Sequence, residues 1–241
     1  MTVRIAMWSG PRNLSTALMR SWENREDTVV LDEPLYAHYL AVTGLDHPGR
    51  DEIIADGPVD AGEAIGRCLG RLPPGVAISY QKHMSHHLLP DLDRDWLDEV
   101  RNLLLIRHPV RVLASYTRVR DDVTLTDLGL PQQLELAERA ELIIDAGDFL
   151  GDPERYQRAI CAHLGIPFSP AMLRWRAGPR ASDGRWARHW YAAVEASTGF
   201  AATADDGPGS DDPGRLPGHL HALAEEALGL YRTLAAGRLR L

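Results

Sequence analysis

The chain is short of cysteine: only Cys68 and Cys161 occur in 241 residues. Two distant cysteines make neither a disulfide framework nor a metal knuckle, which fits a reducing cytoplasm. No run of about 18 apolar residues exists, which excludes a membrane-spanning helix. The first ten residues hold one arginine and a short apolar stretch leading into Gly10 and Pro11. They lack the layout of a signal peptide and read as a first strand. Positive charge is also scarce. With 26 basic and 34 acidic residues the net charge is −8, which argues against a nucleic-acid binder while leaving room for a local basic pocket. Scarcest of all is lysine: Lys82 stands alone among 25 arginines. Arginine-favouring codon usage explains the trend but not the exception, since a compact, mobile ammonium does what a planar guanidinium cannot.

What is present is ordinary for one sizeable globular domain spanning residues 1–241, with 44% hydrophobic and 25% charged residues. Apolar runs at 3–8, 28–31, 76–80, 102–106 and 141–145 read as strands. Between them lie helical patterns, such as Leu14, Ala17, Leu18, Ser21 and Trp22 at i, i+3, i+4, i+7 and i+8. Residues 60–71, 109–120, 131–141 and 153–164 also read as helices, three of them opening on proline. This alternation predicts an α/β fold with a mostly parallel central sheet flanked by helices. A Gly/Pro/Asp-rich stretch at 201–218 is expected to be a flexible loop tethering a last helix at 219–238.

The first strand runs into Ser9-Gly10-Pro11-Arg12-Asn13-Leu14-Ser15-Thr16, and a helix follows. A strand, a glycine-containing turn and a helix start together present free backbone N–H groups to a phosphate. Ser15, Thr16 and Arg12 add side-chain donors, although a tight turn with a polar helix cap would look the same. The turn is not a Walker A loop. That motif needs a lysine and a magnesium hydroxyl where this chain has Thr16 and Ala17, which disfavours a phosphotransferase. A second anion site is suggested by Arg107 at the end of the fourth strand and Ser115, eight residues on, in the following helix. Open α/β sheets bind ligands at such carboxyl ends.

Pro11-Arg12-Asn13-Leu14-Ser15-Thr16 resembles the 5′-phosphosulfate loop of sulfotransferases, with Arg12 where cytosolic members have lysine and Leu14 where they usually have glycine. Arg107-His108-Pro109 with Ser115 is similar to the 3′-phosphate motif of the same family. Residues 180–186, Arg-Ala-Ser-Asp-Gly-Arg-Trp, resemble its late nucleotide-covering loop, and residues 148–153 its acidic turn. Ala17 and Ala146 stand where some members have adenine-contacting aromatics, so no adenine contact is assigned. The resemblance implies a three-layer P-loop-type fold. It also implies a cytoplasmic enzyme that moves a sulfuryl group from 3′-phosphoadenosine 5′-phosphosulfate (PAPS) to a hydroxyl or amine of a small acceptor. The product would be 3′-phosphoadenosine 5′-phosphate, with no metal, nucleic acid or membrane involved. Gly10, Pro11, Arg12, Asn13, Leu14, Ser15, Thr16, Arg107, Ser115, Arg180, Gly184 and Trp186 would bind the nucleotide.

Such chemistry needs donors on the sulfuryl and bridging oxygens and a base for the acceptor proton. Arg12 would stabilise the departing phosphate. Lys82, read as lying just after the third strand, would reach the sulfuryl oxygens. Two bases compete. Glu33, in Glu33-Pro34-Leu35, resembles a motif of carbohydrate-type sulfotransferases, although a carboxylate before Pro34 also suits a helix cap. His83 has a suitable unperturbed pKa. Residues 36–50, with Tyr36, His38, Tyr39, His47 and Arg50, are expected to line the acceptor side. His83, His86 and His87 have a spacing that raises zinc, and the single lysine raises pyridoxal phosphate. A non-catalytic nucleotide-binding protein of the same fold remains the alternative.

Overall fold

The computed structural model describes residues 2–118, 120, 122–202, 207 and 209–241. Five strands form one sheet: β1 (Val3–Ser9), β2 (Thr28–Asp32), β3 (Ile78–Met84), β4 (Arg101–Ile106) and β5 (Leu142–Asp145). Their order is β2-β3-β1-β4-β5, and every pairing is parallel. Parallel neighbours need crossovers, and helices supply them. They are α1 (Ser15–Glu23), α2 (Tyr36–Thr43), α3 (Arg50–Asp56), α4 (Ala61–Leu69), α5 (Pro109–Tyr116), α6 (Leu130–Ala137), α7 (Ala146–Gly151), α8 (Pro153–His163), α9 (Ala187–Trp190), α10 (Ala192–Glu195) and α11 (His221–Ala236).

Alternation along the strands divides the interior into two cores, one on each face. Ile5, Met7 and Tyr80 pack with Leu18 and Trp22 of α1 and with Tyr36 of α2. Ala6, Trp8 and Leu104 pack with Trp96, with Leu113 of α5 and with Ala227 of α11. The result is the three-layer α/β architecture that the sequence predicts, all-parallel where a mostly parallel sheet is expected. Among the described residues no helix is long and apolar enough to cross a membrane.

Two expectations need correction. The third strand is not 76–80 but Ile78–Met84. Lys82 and His83 therefore lie inside it: the whole strand is buried, the Lys82 ammonium is fully hydrogen-bonded, and His83 Nε2 meets Gln81 Oε1. Residues 36–50 do not form an open acceptor wall. Most of them fold into α2, which puts Tyr36 and Tyr39 in the interior, and His47 is buried in the connection between α2 and α3. Of the stretch expected to be a flexible loop, residues 203–206 and 208 lie outside the described residues. Within the rest, Asp211 pairs with Arg111 at 2.6 Å and with His108 at 3.2 Å, and Leu216 is buried.

Candidate active site

The carboxyl ends of β1 and β4 are neighbours, so the turn after β1 and the residues after β4 meet. Arg12 Nε donates to Ser115 Oγ at 2.9 Å across 103 positions of sequence. Arg107 donates to the Arg12 carbonyl at 2.6 Å. Asn13 Nδ2 donates to the Leu105 carbonyl at 2.5 Å, pinning the turn to β4. The two sequence-separate anion motifs thus form one cluster. On its inner side the turn is closed. A Cβ on Gly10 would lie 2.3 Å from the Leu128 carbonyl oxygen, so only glycine fits there. Just about 10 Å³ remains among Gly10, Asn13, Leu130 and Gln133, the room of one water.

The turn is also strained. Among the described residues, three without glycine's freedom take positive φ: Arg12 at 56°, Leu14 at 66° and Glu33 at 45°. Such left-handed conformations cost about 1–2 kcal/mol each and persist only where the surroundings impose them. All three sit at candidate site positions. Leu14 adopts the conformation that a glycine would favour, so the chain keeps a glycine-type path there without the glycine. The amides of Asn13, Leu14, Ser15 and Thr16 donate to no acceptor among the described residues, as expected for a helix start.

A second cluster lies where β2 and β3 end. Lys82 opposes Asp32 in the ladder. Its ammonium donates to Asp32 Oδ1 at 3.0 Å, to the Tyr191 hydroxyl at 2.7 Å and to Glu33 Oε1. An ammonium has three N–H groups, and all three are used. A planar five-donor guanidinium cannot reproduce this compact three-way contact, which gives the chain's only lysine a physical reason. Burial alone would lower the Lys82 pKa, but Asp32 and Glu33 outweigh it and hold it well above the usual lysine value. Burial pushes the Glu33 carboxyl up to about 7, against the pull of Lys82 and with a further push from Asp32. A carboxylate with that value is poised to take a proton near neutrality.

His83 follows Lys82 but points to the opposite face. Its ring stacks on Trp8 with centroids 4.2 Å apart and leans on Trp96, and Nε2 meets Gln81 Oε1 at 3.1 Å. Burial drives its pKa down to about 3. His86 and His87 pack instead against Tyr36 and Tyr39 on the Lys82 side. A strand residue and two residues of the next turn share no face, so the three histidines never converge. Among the described residues no group of three His, Cys, Asp or Glu side chains is arranged to hold a metal ion.

The late loop closes on the second cluster. Gly184 donates its amide to Asp32 Oδ2 at 3.1 Å, and a Cβ there would lie 2.1 Å from the Trp186 indole. Trp186 Nε1 donates to the Tyr191 hydroxyl at 3.1 Å. Asp183 forms an ion pair with the buried Arg20 at 2.6 Å. Arg180, expected at the 3′-phosphate, is not brought to Arg107 and Ser115. It donates to the Arg176 carbonyl at 2.9 Å and faces Glu23 at the end of α1, at 3.7 Å. Tyr191 and Arg20 are the functional neighbours that sequence reading missed. No local motif marks either. A cleft of about 240 Å³ opens beside these groups, lined by Asp32, Glu33, Ala37, Ile53, Gly184 and Trp186 among others.

Comparison with known proteins adds three findings. A family model described as a sulfotransferase domain matches residues 3–232. Branched-chain-amino-acid aminotransferase-like proteins 2 and 1 of Arabidopsis thaliana are each 36% identical to the chain over 236 residues, with 95% of the chain and 41% of each relative covered. The chain thus spans about two fifths of the length of those relatives. Among solved structures, the sulfotransferase domain from the Synechococcus PCC 7002 olefin synthase aligns with a TM-score of 0.57 at 20% identity, over 100% of this chain and 97% of that one. The sulfotransferase domain from the curacin biosynthetic pathway aligns with a TM-score of 0.50 at 18% identity, over 77% and 81%. At those identities the likeness is one of fold.

Proposed function

The chain belongs to the sulfotransferase-domain family, and from that premise we propose that it transfers a sulfuryl group from PAPS to a hydroxyl or amine of a small acceptor. The observation that carries this reading is the contact of Arg12 with Ser115. It joins a phosphate-type turn to a second anion motif, as a donor with both a 5′ and a 3′ phosphate requires. The acceptor-free amides of residues 13–16 and the cationic Arg12 suit the 5′ end. Arg107 and Ser115 suit the 3′ phosphate. The closed inner side leaves the outer side of the turn for the ligand.

In the reaction the acceptor oxygen or nitrogen bonds to sulfur while the bond from sulfur to the 5′-phosphate oxygen breaks. The bonding pair leaves with that phosphate, beside Arg12, and the acceptor proton passes to Glu33. Glu33 is preferred over His83 because it lies on the α1 face and burial pushes its carboxyl up to about 7, whereas His83 is buried on the other face against Trp8 and Trp96. Lys82 is held by Asp32 and Glu33, so in this reading it orients the base and does not touch the sulfuryl group. The same contacts disfavour imine chemistry with pyridoxal phosphate, which needs a lysine that gives up its proton readily.

Calorimetry with adenosine 3′,5′-bisphosphate and 5′-AMP, followed by an acceptor screen with labelled donor, tests the proposal. Tighter binding of the bisphosphate together with transfer supports it. Tight binding without transfer to any acceptor would favour the non-catalytic nucleotide-binding alternative. Equal affinity for the two nucleotides would remove the 3′-phosphate assignment.

A further inference from the structure

The hydrogen bonds around Asp32 connect two parts of the molecule that are far apart in sequence. Asp32 ends β2, and its side chain is buried. One oxygen accepts from Lys82 at 3.0 Å, the other from the Gly184 amide at 3.1 Å, and the Tyr191 hydroxyl reaches both at 2.8 Å. That hydroxyl is itself saturated, because it accepts from Lys82 at 2.7 Å and from Trp186 Nε1 at 3.1 Å. Gly184, Trp186 and Tyr191 all belong to segment 180–191, and Lys82 holds Glu33. Every hydrogen-bonded link from these three residues to the Glu33 carboxylate therefore passes through Asp32 or through its partners Tyr191 and Lys82, while Trp186 also packs edge-on against Tyr36 at 5.1 Å.

We propose that Asp32 is a positioning residue: it latches segment 180–191 onto Lys82, so that Glu33 keeps its reacting orientation only while that segment is docked. The inference rests on the proposed role of Glu33 as base. With the segment docked, Lys82 divides its donors among Asp32, Glu33 and Tyr191. Without Gly184 and Tyr191, Asp32 loses two of its three partners, and the ammonium is no longer fixed from that side. Glu33 has no glycine-like freedom to follow, since its own backbone is already held at φ 45°.

The groups that face Glu33 are Asp32 on β2, Lys82 on β3, His87 just beyond it at 4.0 Å, Tyr36 on α2, Tyr116 on α5 and Tyr191 beyond α9. Of these, Asp32 is the one acid. Asparagine at this position removes the repulsion that opposes ionisation of Glu33 and keeps one oxygen that can still accept from Lys82. In Asp32→Asn the Glu33 carboxyl, followed by its carbon NMR shift against pH, should titrate lower than the wild type's value of about 7, by about one pH unit. In Tyr191→Phe, amide exchange across 185–191 should rise by roughly tenfold or more as the segment loosens. An unmoved or raised Glu33 midpoint in a folded Asp32→Asn protein overturns the latch. So does wild-type exchange in Tyr191→Phe, which decides the matter if Asp32→Asn does not fold. Neither measurement needs donor or acceptor. A shifted midpoint in a protein that transfers no sulfate would keep the latch and remove the proposed reaction. An unshifted midpoint in an active enzyme would do the reverse.

Discussion

Lys82 and His83 are consecutive residues of one strand, and both are almost completely buried, yet they meet opposite surroundings. On one face Lys82 is neutralised by two carboxylates and keeps its proton. On the other, His83 packs against two indoles, and burial pushes its pKa down to about 3. A half-turn of the pleat separates an electrostatic site from an apolar core. By ordinary pKa the histidine suits proton transfer near neutrality better than a carboxyl, and burial shifts His83 down and Glu33 up.

The comparison breaks most visibly at Glu33. Glu33→Gln keeps the shape and removes the proton acceptor, so kcat should fall about 10²–10⁴-fold in a steady-state assay. In the wild type, kcat/KM should rise with pH through about 7, as the Glu33 carboxyl ionises. The stability sign is opposite. Because the folded value lies above the ordinary carboxyl value, the stability that protonated Glu33 contributes is lost as pH rises through about 7. Denaturant melts should therefore show Glu33→Gln comparing better with the wild type on the alkaline side.

Lys82→Met probes the other end of the same ion group. It leaves Asp32 and Glu33 buried without their cation, and should cost about 3–5 kcal/mol in urea unfolding. Lys82→Arg should also destabilise, since five planar donors cannot satisfy three clustered acceptors. Free replacement by arginine would show that the lone lysine carries no structural demand. Next in size is Arg107→Ala. Losing a charge-assisted contact costs about 1.5–3 kcal/mol, so calorimetry should show adenosine 3′,5′-bisphosphate weakened by roughly tenfold or more and 5′-AMP almost unchanged. Equal losses would mean that Arg107 acts only by bracing the Arg12 carbonyl. The smallest effect belongs to His83→Phe, a ring of similar volume in the same stack. Turnover should stay within about twofold and stability within about 1.5 kcal/mol. A collapse in turnover would return the base role to the histidine.

How much of this was readable beforehand follows from where the interactions lie. The turn at 10–16 and the pair Arg107 and Ser115 were legible because each is a local motif at a strand end, and adjacent parallel strands bring such ends together. The odd status of Lys82 was legible by counting. Its partners were not. Gln81, Lys82 and His83 look like the polar residues that follow a strand, and only the paired ladder with β1 and β2 shows that the strand continues through them. Tyr191 lies 159 positions from Asp32 and 109 from Lys82, with nothing in its own neighbourhood to announce the contact. For Arg180 the loop resemblance fixes a sequence context and not a direction. Two carboxylates, Asp183 and Glu23, decide where that region anchors.

The placing of β1 at the centre of an all-parallel sheet has a consequence for how the protein forms. Val3 opposes Ile78, and Ile5 opposes Arg101, so the first strand has no sheet partner until far more of the chain exists. Ile5, Ala6, Met7 and Trp8 are fully enclosed in the finished structure, and during synthesis they are an unpaired apolar strand. At translation rates of about 5–20 residues per second, roughly 100 residues take on the order of 5–20 s to follow. Contacts this distant in sequence also slow folding, because the loop must be closed before the pairing rewards it. The strand that leads into the turn at 10–16 is therefore an aggregation hazard while the chain is being made. Faster translation or a chaperone that covers residues 3–9 should raise the yield of folded protein more than any change near Glu33.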